Sequence, residues 1–194
     1  MPEYFVLGRN LDPDNCAIEE NPGNLPNRHY PARGIRMGDS YPDGYKFSMS
    51  KDVPGIRVAD IIDNALGYLM ISAKLKELLE KHATVEIEYL RFVLLNHKRR
   101  VASDQCFIAN LIGAVDCVDR DRTVGDLSAL NPGQYSAIDN LFLHEDKIDP
   151  ALNLFRIDAY PRVIVIRDDL KRILDEQGVT GAKYCKMGST LEIN

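Results

Sequence analysis

The chain has 194 residues, enough for one large domain or a domain with an appendage, and it can hide roughly 70% of its unfolded surface. With 45% hydrophobic and 27% charged residues it has the composition of an ordinary globular protein. Its net charge of −5 argues against a general nucleic-acid binder, which shows a basic face, and suits simple solubility or a basic partner.

Tyr4 to Leu7 reads as a short strand. From Gly8 to Pro54 the chain is rich in turn formers, as in Asn21-Pro22-Gly23-Asn24 and Tyr41-Pro42-Asp43-Gly44. Residues 1–53 are therefore expected to form a loop-rich region packed on a main domain of residues 54–194. Such a region is either a partner-binding surface or a cover held down by Tyr30, Tyr41, Tyr45 and Phe47. Val58, Ile61, Ile62 and Ala65 fall on one stripe of a short helix that Gly67 would end. Tyr68 to Ile71 then reads as a strand, and Ser72 as the N-cap of a helix to about Lys81.

Val85 to Leu95 alternates and then turns apolar on both faces, as a strand entering a sheet centre does. Gln105 to Val118 is its expected antiparallel partner, with a bulge or kink at Gly113. Thr123 to Gly133 reads as a loop, Ala137 to Leu143 as a strand and His144 to Lys147 as an acidic turn. Asn153 to Ile157 is a further strand. The β-branched run Val163 to Ile166 precedes a helix with Leu170, Ile173 and Leu174 on one face, Gly178 at its left-handed end and an extended segment after it. Ile71, Leu75, Leu78 and Leu79 repeat the order of Ile166, Leu170, Ile173 and Leu174. The expected class is α+β: a mixed, largely antiparallel sheet, a few short helices and two similar strand–helix–strand units.

Chemistry-bearing motifs are scarce. Neither GxGxxG nor GxxxxGK[ST] nor GxSxG occurs, so no cofactor is expected. Cys16, Cys106, Cys117 and Cys185 lack ligand spacing and read as free thiols in a reducing compartment. His29, His82, His97 and His144 form no metal pattern either. Asp116, Asp119 and Asp121 are the best metal-like set, but Arg120 and Arg122 interrupt them and the EF-hand glycine is missing. Glu145 and Asp146 form a second acidic group. Asp168 and Asp169 suit the first turn of a helix. The N-terminus has no signal-peptide pattern and no apolar run is long enough to span a membrane, so a cytoplasmic protein is expected.

Three stretches in this order, Leu69 to Leu79, Val115 to Thr123, and Val163 to Leu174 with Gly178 to Tyr184, resemble immunity-protein family eleven of bacterial polymorphic toxin systems. Members of that family pair an early valine–serine–helix unit with a late unit ending in isoleucine–threonine–glycine. Here these read Ile71-Ser72 and Val179-Thr180-Gly181, and Arg167 stands where a serine is usual, leaving the cap to Asp168. The resemblance implies an antidote without catalysis that binds one cognate toxin, encoded by a neighbouring gene, with no nucleic-acid or membrane partner. Asp39, Tyr41, Asp43 and Tyr45 are candidate anchors for that toxin, and Asp116, Asp119, Asp121, Glu145 and Asp146 candidate steering charges. The competing readings are a small metal-dependent hydrolase using Asp116, Asp119 and Asp121, and a regulatory protein-binding module.

Overall fold

The computed structural model describes residues 2–18 and 23–191; the turn expected at Asn21-Pro22 lies outside them. In chain order the strands are Tyr4–Arg9 (β1), Ala17–Ile18 (β2), Lys46–Ser48 (β3), Ile61–Asn64 (β4) and Met70–Ser72 (β5). Helix Ala73–His82 (α1) precedes Ile87–Leu95 (β6), Val101–Leu111 (β7), Val124–Leu127 (β8), Tyr135–Asn140 (β9), Leu154–Arg156 (β10) and Ile164–Arg167 (β11). Helix Asp168–Glu176 (α2) and Ala182–Lys186 (β12) complete the described elements. One sheet runs β10-β11-β1-β12, a second β2-β4-β5-β7-β6-β3, and β8 and β9 form a separate hairpin. Only the β2–β4 and β3–β6 pairs are parallel, so the class is α+β with mostly antiparallel sheets and two short helices.

Alternation along the strands distributes the core into three layers. Ile71 and Ile61 of the larger sheet face Phe5, Ile164 and Ile166 of the smaller one, with Leu75 and Leu79 of α1 and Leu170 and Leu174 of α2 in the same central cluster. Met70 and Ile62 point the other way, toward Tyr45, Phe47 and Phe92 beneath the N-terminal loops. Val6 and Val165 point outward on the other side, toward Tyr135, Ile138 and Phe155. Both helices are thus inside the seam, and the irregular segments cover the outer faces.

Several local expectations change. The Val58–Ala65 stripe is not a helix: Ile61 and Ile62 alternate between two clusters as β4, which forms an antiparallel pair with β5. Turn chemistry decides this. The Asn64 amide donates to the carbonyls of Ile62 and Tyr68 and its Oδ1 accepts from the N–H groups of Leu66 and Tyr68, while Gly67 takes φ +74°. Val124–Leu127 is a strand rather than loop, and the approach of β9 explains Gly125, whose Cβ would lie 2.3 Å from the Ala137 carbonyl oxygen. The long strand stops at Leu111; Gly113, at φ +81°, turns the chain, and Val115 and Val118 make isolated bridges to Ile157 and Leu143. β6 lies one place from the sheet edge rather than at its centre, where β7 is longest and paired on both sides.

Candidate partner-binding surface

The segment bearing Asp39, Tyr41, Asp43 and Tyr45 leads into β3 and lies against β6. Glu88 fixes it there: its carboxylate accepts from the backbone N–H groups of Met37 at 2.9 Å and Gly38 at 2.8 Å, and from the Asn110 amide at 2.9 Å. Burial would raise the pKa of Glu88, but these three donors outweigh it and hold the carboxyl below its usual range. Asp39 sits in a short 3₁₀ turn, exposed, and Asp43 is exposed beside it. Tyr45 is buried, stacked edge-on against Phe47 at 5.1 Å, and the half-buried Tyr41 ring rests 5.9 Å from Tyr45. The two tyrosines therefore hold the loop down, and the aspartates face outward.

Between this loop and β6 is a groove of about 640 Å³ lined by Tyr41, Asp43, Tyr89, Arg91 and Asp104. β3 pairs with β6 only over Val93–Leu95. Further back, Tyr89 lies opposite Ala109, whose N–H donates to Leu69 on the far side, so Tyr89 belongs to a pair without hydrogen bonds between the two strands. Its backbone groups, and those of Arg91 two residues on, face the groove as a free strand edge.

The second acidic set lies over the other sheet. Val118 bridges Leu143, the N–H of His144 donates to Cys117 and that of Asp119 to Phe142, which brings residues 116–121 beside residues 142–146. Asp116, Asp121, Glu145 and Asp146 are exposed there. Asp119 is buried, and its Oδ1 accepts from the N–H groups of Asp121 and Arg122, each at 3.2 Å, so it builds the turn. His144 Nε2 stands 4.0 Å from the same oxygen. Among the described residues no group of three or more His, Cys, Asp or Glu side chains is placed to hold a metal ion. The four cysteines are unpaired, three of them buried. Among the described residues no helix is long and apolar enough to cross a membrane.

Two of the three stretches that carry the family resemblance, the first and the last, converge on a residue that sequence reasoning passed over, Asp60. Ser72 caps α1, its Oγ accepting from the Leu75 N–H at 3.2 Å, and it donates to Asp60 Oδ1 at 2.6 Å. Thr180 donates to Asp60 Oδ2 from its N–H at 2.9 Å and from its hydroxyl at 3.1 Å, and Lys74 Nζ lies 3.5 Å away. Gly181 follows at φ +81°, where a Cβ would sit 2.3 Å from the Ile61 carbonyl oxygen. The early serine and the late threonine–glycine thus meet through one carboxylate in the seam.

Comparison with protein families gives a match to the immunity protein family Imm11 over residues 3–189. The chain belongs to that family. The match takes in the strands of both sheets and both helices of this Imm11 protein. No curated protein matches the chain. At the late helix Arg167 is the N-cap residue, its side chain makes no capping bond, and it grips Asp169 through Nε and Nη2 at 2.8 and 2.9 Å. The cap expected from Asp168 is absent because Asp168 is already the first helical residue, one place past the N-cap, and its N–H donates to the Glu3 carbonyl at 2.8 Å.

Proposed function

We propose that this Imm11 protein binds one cognate toxin of a bacterial polymorphic toxin system and neutralises it by occupying its surface, without catalysis of its own. Membership of an immunity family over nearly the whole chain carries the reading. On this reading the toxin is encoded by a neighbouring gene and meets its antidote in the cytoplasm of the producing cell and its siblings during interbacterial competition.

The groove beside β6 is our candidate for the primary contact. It combines exposed carboxylates at Asp43 and at Asp104, the latter 3.6 Å from the Arg91 guanidinium, with Asp39 at its rim and a strand edge able to hydrogen-bond an incoming segment. The charges suit a basic toxin surface, and Asp116, Asp121, Glu145 and Asp146 extend the negative field that steers encounter. On this reading residues 1–53, whose strands β1, β2 and β3 join the two sheets, also supply the loop over the α+β domain of residues 54–194. The two strand–helix–strand units act as a scaffold used twice. In support, β5 and β6 flank β7 antiparallel on either side, as β11 and β12 flank β1.

Co-expression with the product of the neighbouring gene tests this directly. Growth should be restored and a complex should survive gel filtration. Reversing Asp39, Asp43 and Asp104 to lysine should slow association by about tenfold and flatten its dependence on salt. Continued toxicity with no complex would overturn the proposal.

A further inference from the structure

A second groove, of about 510 Å³, lies where the N-terminal cover meets the segment after β10 and the β8–β9 hairpin. Its charge is opposite to that of the protein as a whole. Arg28, His29, Arg33 and Arg162 line it, and among the described residues that line it none is acidic. All three arginines are exposed, and among the described residues none pairs with a carboxylate. Arg33 has one polar side-chain contact, donating to Gln134 Oε1 at 3.4 Å. Three arginines without a carboxylate partner thus share one concavity of a chain with 29 acidic and 24 basic residues.

The groove is also held rigidly from below. Arg156 is 1% exposed, and its guanidinium donates only to backbone carbonyls: Pro31 at 2.8 Å, Pro161 at 2.7 Å, Leu111 at 3.2 Å and Ala32 at 3.5 Å. Burial lowers its pKa to about 10, which still leaves it charged at neutral pH. Carbonyls satisfy its hydrogen bonds but cannot cancel its charge, so a fourth positive charge lies under the groove. The same bonds fix the residues just before Arg33 and Arg162. The Tyr68 hydroxyl, donating to the Arg28 carbonyl, fixes the third.

At the lip, the β8–β9 hairpin leaves Leu127 68% and Leu130 89% exposed. A small anion has no use for these side chains, and a nucleic acid would meet a chain of net charge −5 around the groove. We propose that this groove receives an acidic segment of the toxin, its carboxylates paired with Arg28, Arg33 and Arg162 and an apolar neighbour packed on Leu130. The proposal rests on the toxin-binding reading above and gives that interface a second, oppositely charged anchor. Geometry permits one partner to use both: residues 28–33 wall this groove and 38–44 the other, and the five residues from Arg33 to Gly38 span at most about 18 Å.

The test measures binding of the neighbouring gene's toxin domain to the wild type, to a triple variant Arg28→Glu, Arg33→Glu, Arg162→Glu, and to Leu130→Ser. Thermal melts establish that the variants fold. The triple variant should lose about 100-fold in affinity and Leu130→Ser about tenfold, chiefly in dissociation rate. A folded triple variant within about threefold of wild type would overturn the groove while leaving toxin binding intact. No binding by the wild type would overturn both. Two controls guard the assignment. Arginine-dependent binding of a short DNA duplex at physiological salt would reassign the groove to nucleic acid, and arginine-dependent stabilisation by millimolar inorganic phosphate would reassign it to a small anion; either overturns the proposal.

Discussion

Asp60 and Arg156 each join distant parts of the chain, but the surroundings of the two differ in charge. Asp60, in the seam between the sheets, has Ser72 and Thr180 as donors and Lys74 as counter-charge. Its field is cancelled locally, and little reaches the surface. Arg156 joins the N-terminal cover, the end of β7 and the segment after β10, with carbonyls for every partner. Its charge survives and adds to three exposed arginines above it. The difference separates two uses of a buried ion. One fixes architecture and leaves no trace outside, and the other fixes architecture while shaping a field for a partner.

Arg156→Met should break this comparison most severely. It keeps volume but leaves four carbonyls without their donor, and the expected loss is about 3–5 kcal/mol in urea unfolding. Arg156→Lys should recover little, because one ammonium cannot reach carbonyls placed for a planar fork. A loss below about 1 kcal/mol would show that water replaces the guanidinium and that the joint is not structural. Asp60→Asn comes next, at about 2 kcal/mol, since an amide cannot accept at both ends from Ser72 and Thr180. This loss depends on pH. Burial opposes ionisation of Asp60, yet the hydrogen bonds from Ser72 and Thr180 prevail and depress its folded pKa. A depressed acid contributes fully above its unfolded pKa, about 3.9, and the contribution vanishes as pH falls through the lower folded value. Wild type and Asp60→Asn should therefore differ in melting temperature at pH 7 and converge below pH of about 3.9. A gap unchanged down to the acid limit would place the effect in packing. Glu88 is depressed in the same sense and titrates in both proteins, so it cancels in the difference.

How far the sequence reveals these joints follows from how local they are. The Ser72 cap, the left-handed Gly178 at φ +61° and the leucine stripes of α1 and α2 depend on neighbours within a few residues, and all are present. Asp60 binds Ser72, 12 residues away, and Thr180, 120 residues away, so no spacing announces it. Reading Val58–Ala65 as a helix hid it further, because four apolar positions in a short window fit either period. Arg156 left one trace, a lone charge inside Leu154-Phe155-Arg156-Ile157, where a strand core has no place for an unpartnered ion. The basic groove left none, since its arginines come from segments more than a hundred residues apart. The acidic loop was legible as composition, but only its packing shows that Tyr45 faces inward while Asp39 and Asp43 face out.

The smallest expected effects concern the two helix starts, and they sharpen the same contrast. Ser72 accepts from the Leu75 N–H and also donates to Asp60, so Ser72→Ala removes a cap and one spoke of the seam together, at about 1–2 kcal/mol. In the Asp60→Asn background the same substitution should cost less, about the 1 kcal/mol of the cap alone, because the shared bond is already weakened. Arg167→Ser supplies α2 with a side chain able to cap its first turn. It also removes the bond to the Leu152 carbonyl at 3.1 Å and the paired grip on Asp169, whose hydrogen bonds from Arg167 hold the Asp169 carboxyl below its usual range. A gain and a loss of similar size should leave stability within about 0.5 kcal/mol of wild type. Near-neutrality there, beside a clear loss at Ser72, would show that the first helix start is wired into the seam and the second only docks against it. A loss of similar size at both positions would instead make Arg167 a third joint, holding the residue 150–152 turn to the smaller sheet, and the seam would then extend to its far edge.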